Sequence, residues 1–259
     1  MMATTPAAAP TFSSTEAFGF GWDVARRNTG FFVVVLAVSA VLDGIPGTFQ
    51  EATAATAPLV SFLFALMTLV VSTVTTIGQT KIALRFVDGE RPTHADLYAH
   101  HRLFFRFLTT GFVYVLVVAL GLVLFVVPGV LWLVRYCASL YLVVDKGMGT
   151  REAMRTSAEL TRGVRWQLFR FALACIVLVV GGIGLVLAGV GLLTALGFAN
   201  RAVLGTPLAV LLMFVGVLIV GLAVIRLIAT VLVASAYIYR RLLPLERPTT
   251  PALPVMKWA

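Results

Sequence analysis

Charged side chains are scarce in this sequence. Asp, Glu, Lys and Arg make up 12% of the 259 residues, whereas a soluble globular domain carries about 25%. Hydrophobic residues make up 60%, and several apolar runs reach the ~20 residues that a helix needs to cross the hydrocarbon core of a bilayer. The shortage of charge excludes an ordinary soluble domain. It predicts one membrane domain over 31–239, between a leader at 1–30 and a Pro-rich tail at 240–259.

Residues that carry covalent chemistry are also few. The two cysteines, Cys137 and Cys175, lie inside apolar runs with no second Cys or His at ligand spacing, which excludes a disulfide framework and a zinc site. The motifs GxSxG, HExxH and GxxxxGKS/T are absent. We therefore predict no catalytic residue and no cofactor, and we expect that the protein is not an enzyme.

Histidine is rare as well. The three histidines, His94, His100 and His101, lie close to Asp96 in one short segment. Two of them are adjacent and so point in different directions on a helix, and no Cys or Glu completes a ligand shell. No metal site is predicted.

Acidic residues are outnumbered by basic ones. The sequence has 11 acidic and 20 basic residues, a net charge of +9 and a pI near 10.3. The basic residues lie mainly between apolar runs, and no recognition module accompanies them, so nucleic acid is not a predicted partner. By the positive-inside rule the segments 1–30, 79–106, 145–170 and 240–259 are predicted to be cytoplasmic. Because the excess of Arg over Lys and the abundance of Ala favour a bacterial source, we expect a multi-pass protein of the bacterial cytoplasmic (inner) membrane with both termini in the cytoplasm.

The predicted fold class is all-α: a polytopic transmembrane helical bundle of about six spans with interfacial amphipathic elbow helices. Four basic segments on one side require an even number of crossings between each and the next. Residues 107–144 must then go out and return, either as two short helices joined at Pro128-Gly129 or as a re-entrant loop. Asp43 and Pro46 are expected to interrupt the first span. The six predicted spans are 30–49, 58–78, 107–127, 130–144, 170–197 and 208–237.

Each cytoplasmic connection contains an amphipathic stretch that we expect to lie in the membrane interface. The first follows a capping box, Ser13-x-x-Glu16, and the second starts at a similar box, Thr93-x-x-Asp96. The third covers 151–162. The residues predicted to share one helical face are Phe18, Trp22 and Ala25 in the first stretch, Leu97, His101, Phe104 and Leu108 in the second, and Met154, Ala158 and Thr161 in the third.

The fifth span carries small residues at alternating spacings of three and four. Small side chains let helices approach closely in lipid, so the stripe indicates helix packing. Three alternatives are open: packing within the chain, a seam between copies of a homo-oligomer, and a lipid groove. The residues of the stripe are Gly181, Gly184, Ala188, Gly191 and Ala195.

Charge inside a span is the best pointer to function, because a charged side chain there is costly. Arg135, Arg226 and Asp43 are the candidate ligand or lipid contacts. Arg135 lies seven residues after the Pro128-Gly129 pair and is expected to snorkel to headgroups, to pair with Asp43, or to bind a ligand or an anionic lipid. For Arg226 the default interpretation is snorkelling.

Three segments resemble a known family of bacterial membrane proteins. They are Val126-Val-Pro-Gly-Val-Leu-Trp-Leu-Val-Arg-Tyr136, Leu142-Val-Val-Asp-Lys-Gly-Met-Gly149 and Glu152-Ala-Met-Arg-Thr-Ser-Ala-Glu-Leu-Thr-Arg-Gly163. The pattern is similar to the membrane domain fused to some glycerophosphoryl diester phosphodiesterases. The resemblance implies a six-helix integral membrane domain. It transfers no catalytic residue.

These observations favour a non-enzymatic inner-membrane protein in an accessory or scaffold role. It is expected to bind lipid, through anionic headgroups, or a partner membrane protein. The alternative is a small transporter or export component with a site near Arg135 and Arg226, because broken helices often line substrate sites.

Overall fold

The computed structural model describes residues 13–99, 101–199 and 207–243. These residues are mainly α-helical, and no β-strand occurs among them. Two short 3₁₀ turns, His94–Leu97 and His101–Leu103, connect the third helix to the fourth. The all-α fold class is confirmed. The helices are α1 (Ser14–Arg27), α2 (Thr29–Thr53), α3 (Pro58–Val87), α4 (Phe104–Leu124), α5 (Val126–Arg135), α6 (Ser139–Lys146), α7 (Thr150–Leu160), α8 (Arg165–Ala199) and α9 (Pro207–Leu242).

Six segments of the described chain are long and apolar enough to cross a membrane, which confirms the polytopic bundle. The fourth of them joins α5 and α6, which are separated by a turn at 136–138. The predicted tail is mostly outside the described residues, and α9 continues across its predicted start at 240. The six segments are Thr29–Thr53, Pro58–Val87, Phe104–Leu124, Val127–Lys146, Arg165–Gly189 and Phe214–Leu242.

The first span is longer than the sequence predicts. α2 continues through Asp43 and Pro46 and ends at Thr53. Pro46 is buried inside the helix, and such prolines are tolerated in membrane helices because neighbouring groups satisfy the freed carbonyl. The predicted interruption is therefore wrong. Asp43 lies in the middle of the first span rather than near its end.

The third and fourth spans form a helical hairpin that turns earlier than predicted. The backbone is extended at Phe125 (φ −161°, ψ 146°), and α5 starts at the next residue. Pro128, predicted to end a helix, instead lies in the first turn of α5, where a missing N–H costs no helical hydrogen bond. A Cβ placed on Gly121 would lie 2.8 Å from the Cα of Gly129. The two helices therefore pack against each other directly after the turn.

The capping box predicted for the leader does not form. Ser13 precedes α1, but its side chain does not cap the helix. Glu16 instead accepts hydrogen bonds from the Tyr237 hydroxyl, at 2.7 Å, and from Arg241, at 3.1 Å. The acidic side chain therefore joins α1 to α9 rather than closing its own first turn.

The face of α1 that packs within the chain consists of small residues and shares Ala25 with the predicted apolar face. Ala17, Gly21 and Ala25 are buried, while Trp22 is 47% exposed. A Cβ on Gly21 would lie 2.5 Å from the carbonyl oxygen of Thr230 in α9. The small residues of α1 thus allow the close backbone approach that favours helix association in lipid, and α1 packs along α9.

The second connection contains a capping box but not the predicted helix. Thr93 and Asp96 form the box reciprocally, and only the turn His94–Leu97 follows it. The Asp96 carboxylate also accepts a hydrogen bond from Arg85 at 2.6 Å. These side-chain bonds fix a local turn in place of a continued helix, and the predicted amphipathic helix through Leu108 is wrong.

The third connection is helical, as the sequence predicts. Ala158 and Thr161 lie on the buried side of α7, and Met154 is partly buried. Arg155 and Glu159 pair at 3.2 Å on the exposed side. The opposite charged stripe, exposed throughout, is Arg151, Arg155, Glu159 and Arg162.

Most buried residues lie at one end of the bundle, which we call the basic end. There α3 and α9 end, α1, α4 and α8 begin, and α6 and α7 fill the centre. Arg240 of α9 binds Asp145 of α6, at 2.7 Å, and Asp88 at the end of α3, at 2.6 Å. The Tyr239 hydroxyl adds a bond to Asp145 at 3.0 Å. Charge-assisted bonds therefore join three spans at this end.

The opposite half of the spans, which we call the far half, is open. Large apolar side chains are exposed there on every span, including Phe62, Val123, Val177 and Val217. Only 6% of the residues in the most apolar stretch of the α8 span are buried, against 39% in the corresponding stretch of the span formed by α5 and α6. The far half therefore offers its apolar surface to lipid.

Candidate functional site

A groove of about 330 Å³ lies among α5, α6, α8 and α9 near the basic end. Its volume is at the lower end of the range of about 300–1,000 Å³ for ligand sites. Large side chains such as Phe171 and Tyr239 line it, together with small ones such as Ala138, Ala172 and Ser235. The groove is open where the small side chains lie, because they do not reach across to the neighbouring helices.

The groove lies beside the break in the fourth span. α5 ends at Arg135, and the chain turns before α6 starts. The carbonyl of Arg135 accepts hydrogen bonds from the hydroxyls of Ser157, at 3.0 Å, and Thr161, at 3.2 Å, in α7. A helix end in an apolar surrounding needs such partners for its last carbonyls. The elbow α7 therefore stabilises the break beside the groove.

Arg135 lies beside the groove, at the junction with α7. It follows Val134, which lines the groove, and its guanidinium lies 5.5 Å from the centroid of the Tyr136 ring. The Nε atom is buried and has no hydrogen-bond partner. Arg135 is therefore the last residue of α5 and lies next to the elbow α7.

Arg165 is a second cation at the same groove. It starts α8, one helical turn before Leu168, which lines the groove. Val164 and Val134, the residues that precede the two arginines, belong to one buried cluster. The Nε of Arg165 is also buried without a hydrogen-bond partner. Two arginines therefore lie at the end of α5 and at the start of α8, each next to a valine of one buried cluster.

Both cysteines line the groove as well. Cys137 lies in the turn between α5 and α6, and Cys175 lies in α8. Neither is fully buried. They are small side chains on the wall of a groove, whereas the sequence favours core-filling thiols.

The structure does not bring Asp43 and Arg135 together. No ion pair joins them, and one oxygen of the Asp43 carboxylate is buried without a hydrogen-bond partner. The proposed Asp43–Arg135 pair is therefore wrong. The physical reason is that Arg135 lies at the basic end, while Asp43 lies halfway along α2.

Arg226 belongs to a different contact. Its Nε donates a hydrogen bond of 3.2 Å to the hydroxyl of Thr29, the first residue of α2. The side chain therefore lies where α1 gives way to α2, fourteen residues before Arg240 in α9. Arg135 and Arg226 contact different helices, α7 and α2, so the structure does not combine them into one described site.

The small-residue stripe of α8 faces outward where it is described. A Cβ on Gly181 or Gly184 would meet no atom within 4 Å, and Ala188 and Gly191 are exposed. The contact between α8 and α9 is made instead by Gly182, the residue after Gly181, because a Cβ on Gly182 would lie 2.5 Å from the Leu227 side chain. The side chain of Ala195 lies outside the described residues. A seam between copies and a lipid groove stay predictions for this stripe.

Sequence reasoning missed Arg165 and Ser157, and it named Thr161 without predicting its bond to the Arg135 carbonyl. Arg165 was one of several basic residues that served only to orient the chain. Ser157 and Thr161 lie among small residues on the apolar face of α7. Hydroxyls on such a face need an acceptor, and this was the available signal that α7 bonds to a neighbouring backbone.

The fold and the groove define a polytopic helical membrane protein with a partly enclosed apolar site near its basic end. Residues 106–252 match the family model described as the membrane domain of glycerophosphoryl diester phosphodiesterase. The match covers more than half of the chain, from α4 onward, so the chain belongs to this family. Searches of curated proteins and of solved structures gave no significant match.

Proposed function

We propose that this protein is a non-enzymatic membrane protein that binds an anionic phospholipid at its basic end, in an accessory or scaffold role. The observation that carries the proposal is the pair Arg135 and Arg165, each with a buried Nε that lacks a partner. Both side chains are only partly buried, so a partner from outside can reach them, and a cation at an apolar surface is stabilised when it is paired and hydrogen-bonded. A lipid phosphate supplies both the opposite charge and several acceptor oxygens.

A comparison with Arg240 supports this assignment. The Arg240 Nε is likewise unbonded, but the terminal nitrogens of that side chain bind Asp88 and Asp145. Arg135 and Arg165 form no ion pair with any described residue. The chain thus satisfies one partly buried arginine internally and leaves two at the groove for a partner from outside.

The exposed stripe of α7 adds positive charge nearby. It carries three arginines and one glutamate, and its other face is bonded to the end of α5. Basic residues next to a span attract anionic lipid by about 1 kcal/mol each near a charged membrane surface. This long-range attraction raises the local concentration of anionic lipid at the groove.

Native mass spectrometry of the purified protein tests the proposal, with phosphatidylglycerol or phosphatidylcholine added at equal concentration. The double variant Arg135→Gln/Arg165→Gln should reduce retention of phosphatidylglycerol about tenfold or more, because a hydrogen bond to a charged group contributes about 1.5–3 kcal/mol. Retention of phosphatidylcholine should not change.

The matched control is Arg26→Gln/Arg27→Gln, which removes the same charge from two exposed arginines at the end of α1. If the two double variants lose phosphatidylglycerol equally, only net charge matters and the assigned site is wrong. Circular dichroism of each variant verifies that the helices are retained.

A further inference from the structure

Together with the helical turn that leads to Arg165, the groove is about as long as one lipid leaflet is thick. Along α8 its lining runs from Leu168 to Ile176, starting one turn after Arg165. From Arg165 to Ile176 the helix rises about 16 Å at 1.5 Å per residue. The hydrocarbon core of a bilayer is about 30 Å thick, so one leaflet occupies about half of that. A single acyl chain that starts at Arg165 would therefore reach the other end of the groove.

The groove has cationic side chains beside one end and apolar walls beyond them, and a phospholipid likewise has a charged phosphate at one end and hydrocarbon beyond it. At the basic end, Arg165 and Arg135 supply cations whose Nε atoms lack partners. Away from that end, the α8 wall continues with Phe171, Ala172 and Ile176. The charge at one end and the apolar walls beyond it are complementary to a phosphate joined to a hydrocarbon chain.

We infer that the groove binds one acyl chain of the anionic phospholipid whose phosphate lies at Arg135 and Arg165. The inference rests on the proposed function and adds to it the part of the lipid that the protein recognises. The bound lipid is held by its headgroup and by one chain between α8 and α9, and is not merely part of the lipid layer around the far half. Selectivity for the headgroup and occupation of the groove are then two separate properties of one site.

Photo-crosslinking in vesicles tests this inference. The probe is phosphatidylglycerol with a diazirine in the middle of one acyl chain, and phosphatidylcholine with the same chain is the comparison. Mass spectrometry of the unaltered protein should place the phosphatidylglycerol adducts mainly on the groove lining of α8, near Phe171 to Ile176, and of α9, near Val231 to Ile238. The phosphatidylcholine adducts should be fewer there and spread over exposed side chains of the far half, such as Val177 and Val217.

A variant that fills the groove provides the second measurement. Ala172→Phe should abolish the adducts on the groove lining while the preference for phosphatidylglycerol in native mass spectrometry persists in reduced form. Ala223→Phe is the matched control, because Ala223 is exposed on α9 and does not line the groove. It should leave the crosslinking map unchanged. The map of the unaltered protein does not depend on how either variant folds.

The outcomes separate the inference from the proposed function. If phosphatidylglycerol is preferred, is lost in Arg135→Gln/Arg165→Gln, and yet forms adducts only on the far half, the groove is not the acyl-chain site and the proposed function stands. If both lipids label the groove equally and the arginine variant changes nothing, the headgroup assignment and the proposed function are wrong. Adducts in the groove that vanish in Ala172→Phe, with phosphatidylglycerol preferred, support both.

Discussion

The basic end and the far half of this bundle are built from the same kinds of apolar helix, but they are packed differently. At the basic end Ile82, Leu84 and Leu142 are completely buried, whereas in the far half Leu63, Leu116 and Val177 are each more than half exposed. In lipid, apolar side chains gain little by leaving the bilayer for a helix contact. Burial therefore concentrates where small residues, hydroxyls and ion pairs hold backbones together.

The difference also explains where the groove is found. A packed end with one broken span leaves a defined groove with fixed walls. The far half exposes apolar side chains to the surrounding lipid, and such a surface does not distinguish one lipid headgroup from another. The following predictions test whether stability and recognition are both concentrated at the basic end.

The largest expected effect comes from removing a fully buried side chain. Leu142→Ala in α6 should lower the free energy of unfolding by about 2–5 kcal/mol, the usual cost of a Leu-to-Ala change in a packed core. Leu116→Ala in α4, where the side chain is 54% exposed, should change it by about 0.5 kcal/mol or less. Thermal unfolding of both variants in the same detergent measures the contrast. Equal losses would show that the far half packs as tightly as the basic end.

A second contrast uses glycine. Gly21→Leu would drive a side chain into the backbone of α9 at Thr230, so we expect a loss of about 1–3 kcal/mol, the cost of overpacking. Gly19→Leu and Gly184→Leu place the same side chain where no atom lies within 4 Å and should be nearly neutral. Limited proteolysis after Arg26 and Arg27 reports whether α1 has left α9.

The variant Gly184→Leu has a second use. If it destabilises the protein as much as Gly21→Leu does, the outward stripe of α8 is covered by something other than its own chain. Size-exclusion chromatography with light scattering would then show whether a second copy covers it. If Gly184→Leu changes neither the melting temperature nor the molecular mass of the protein, lipid is the neighbour of the stripe.

Much of the fold was predictable, because hydropathy and the position of charge determine where helices cross. The six spans and the amphipathic α7 were predicted in this way and are confirmed. The break after Arg135 and the contact of Gly21 with α9 were not predictable from one sequence. They depend on which helices become neighbours, and a residue such as Gly21 has the same local pattern whether it faces lipid or a backbone.

The candidate site was predictable only in part, for a related reason. Arg135 stood out because a charge in a short span is costly. Arg165 did not, because a basic residue at the start of a span is what the positive-inside rule expects. Its role depends on Val164 and Val134 belonging to one buried cluster, and no local sequence pattern shows which residues share a cluster.

The smallest expected effect concerns the hydroxyls that hold the break in the fourth span. Ser157→Ala removes one of two bonds to the Arg135 carbonyl, and Thr161 retains the other. We expect a loss of about 0.5–1.5 kcal/mol, the net contribution of one hydrogen bond. Ser72→Ala is the matched control, because that hydroxyl bonds only to the Leu69 carbonyl of its own helix, at 3.3 Å.

Lipid binding adds a readout that stability alone does not give. If α7 fixes the position of Arg135, Ser157→Ala should weaken the retention of phosphatidylglycerol as well as stability, while Ser72→Ala should leave both unchanged. If Ser157→Ala loses stability but retains full selectivity for phosphatidylglycerol, the bonds from α7 stabilise the fold but do not position Arg135 for lipid binding. In that case the groove, rather than the elbow, determines where the headgroup lies, and the two arginines are positioned by α5 and α8 alone.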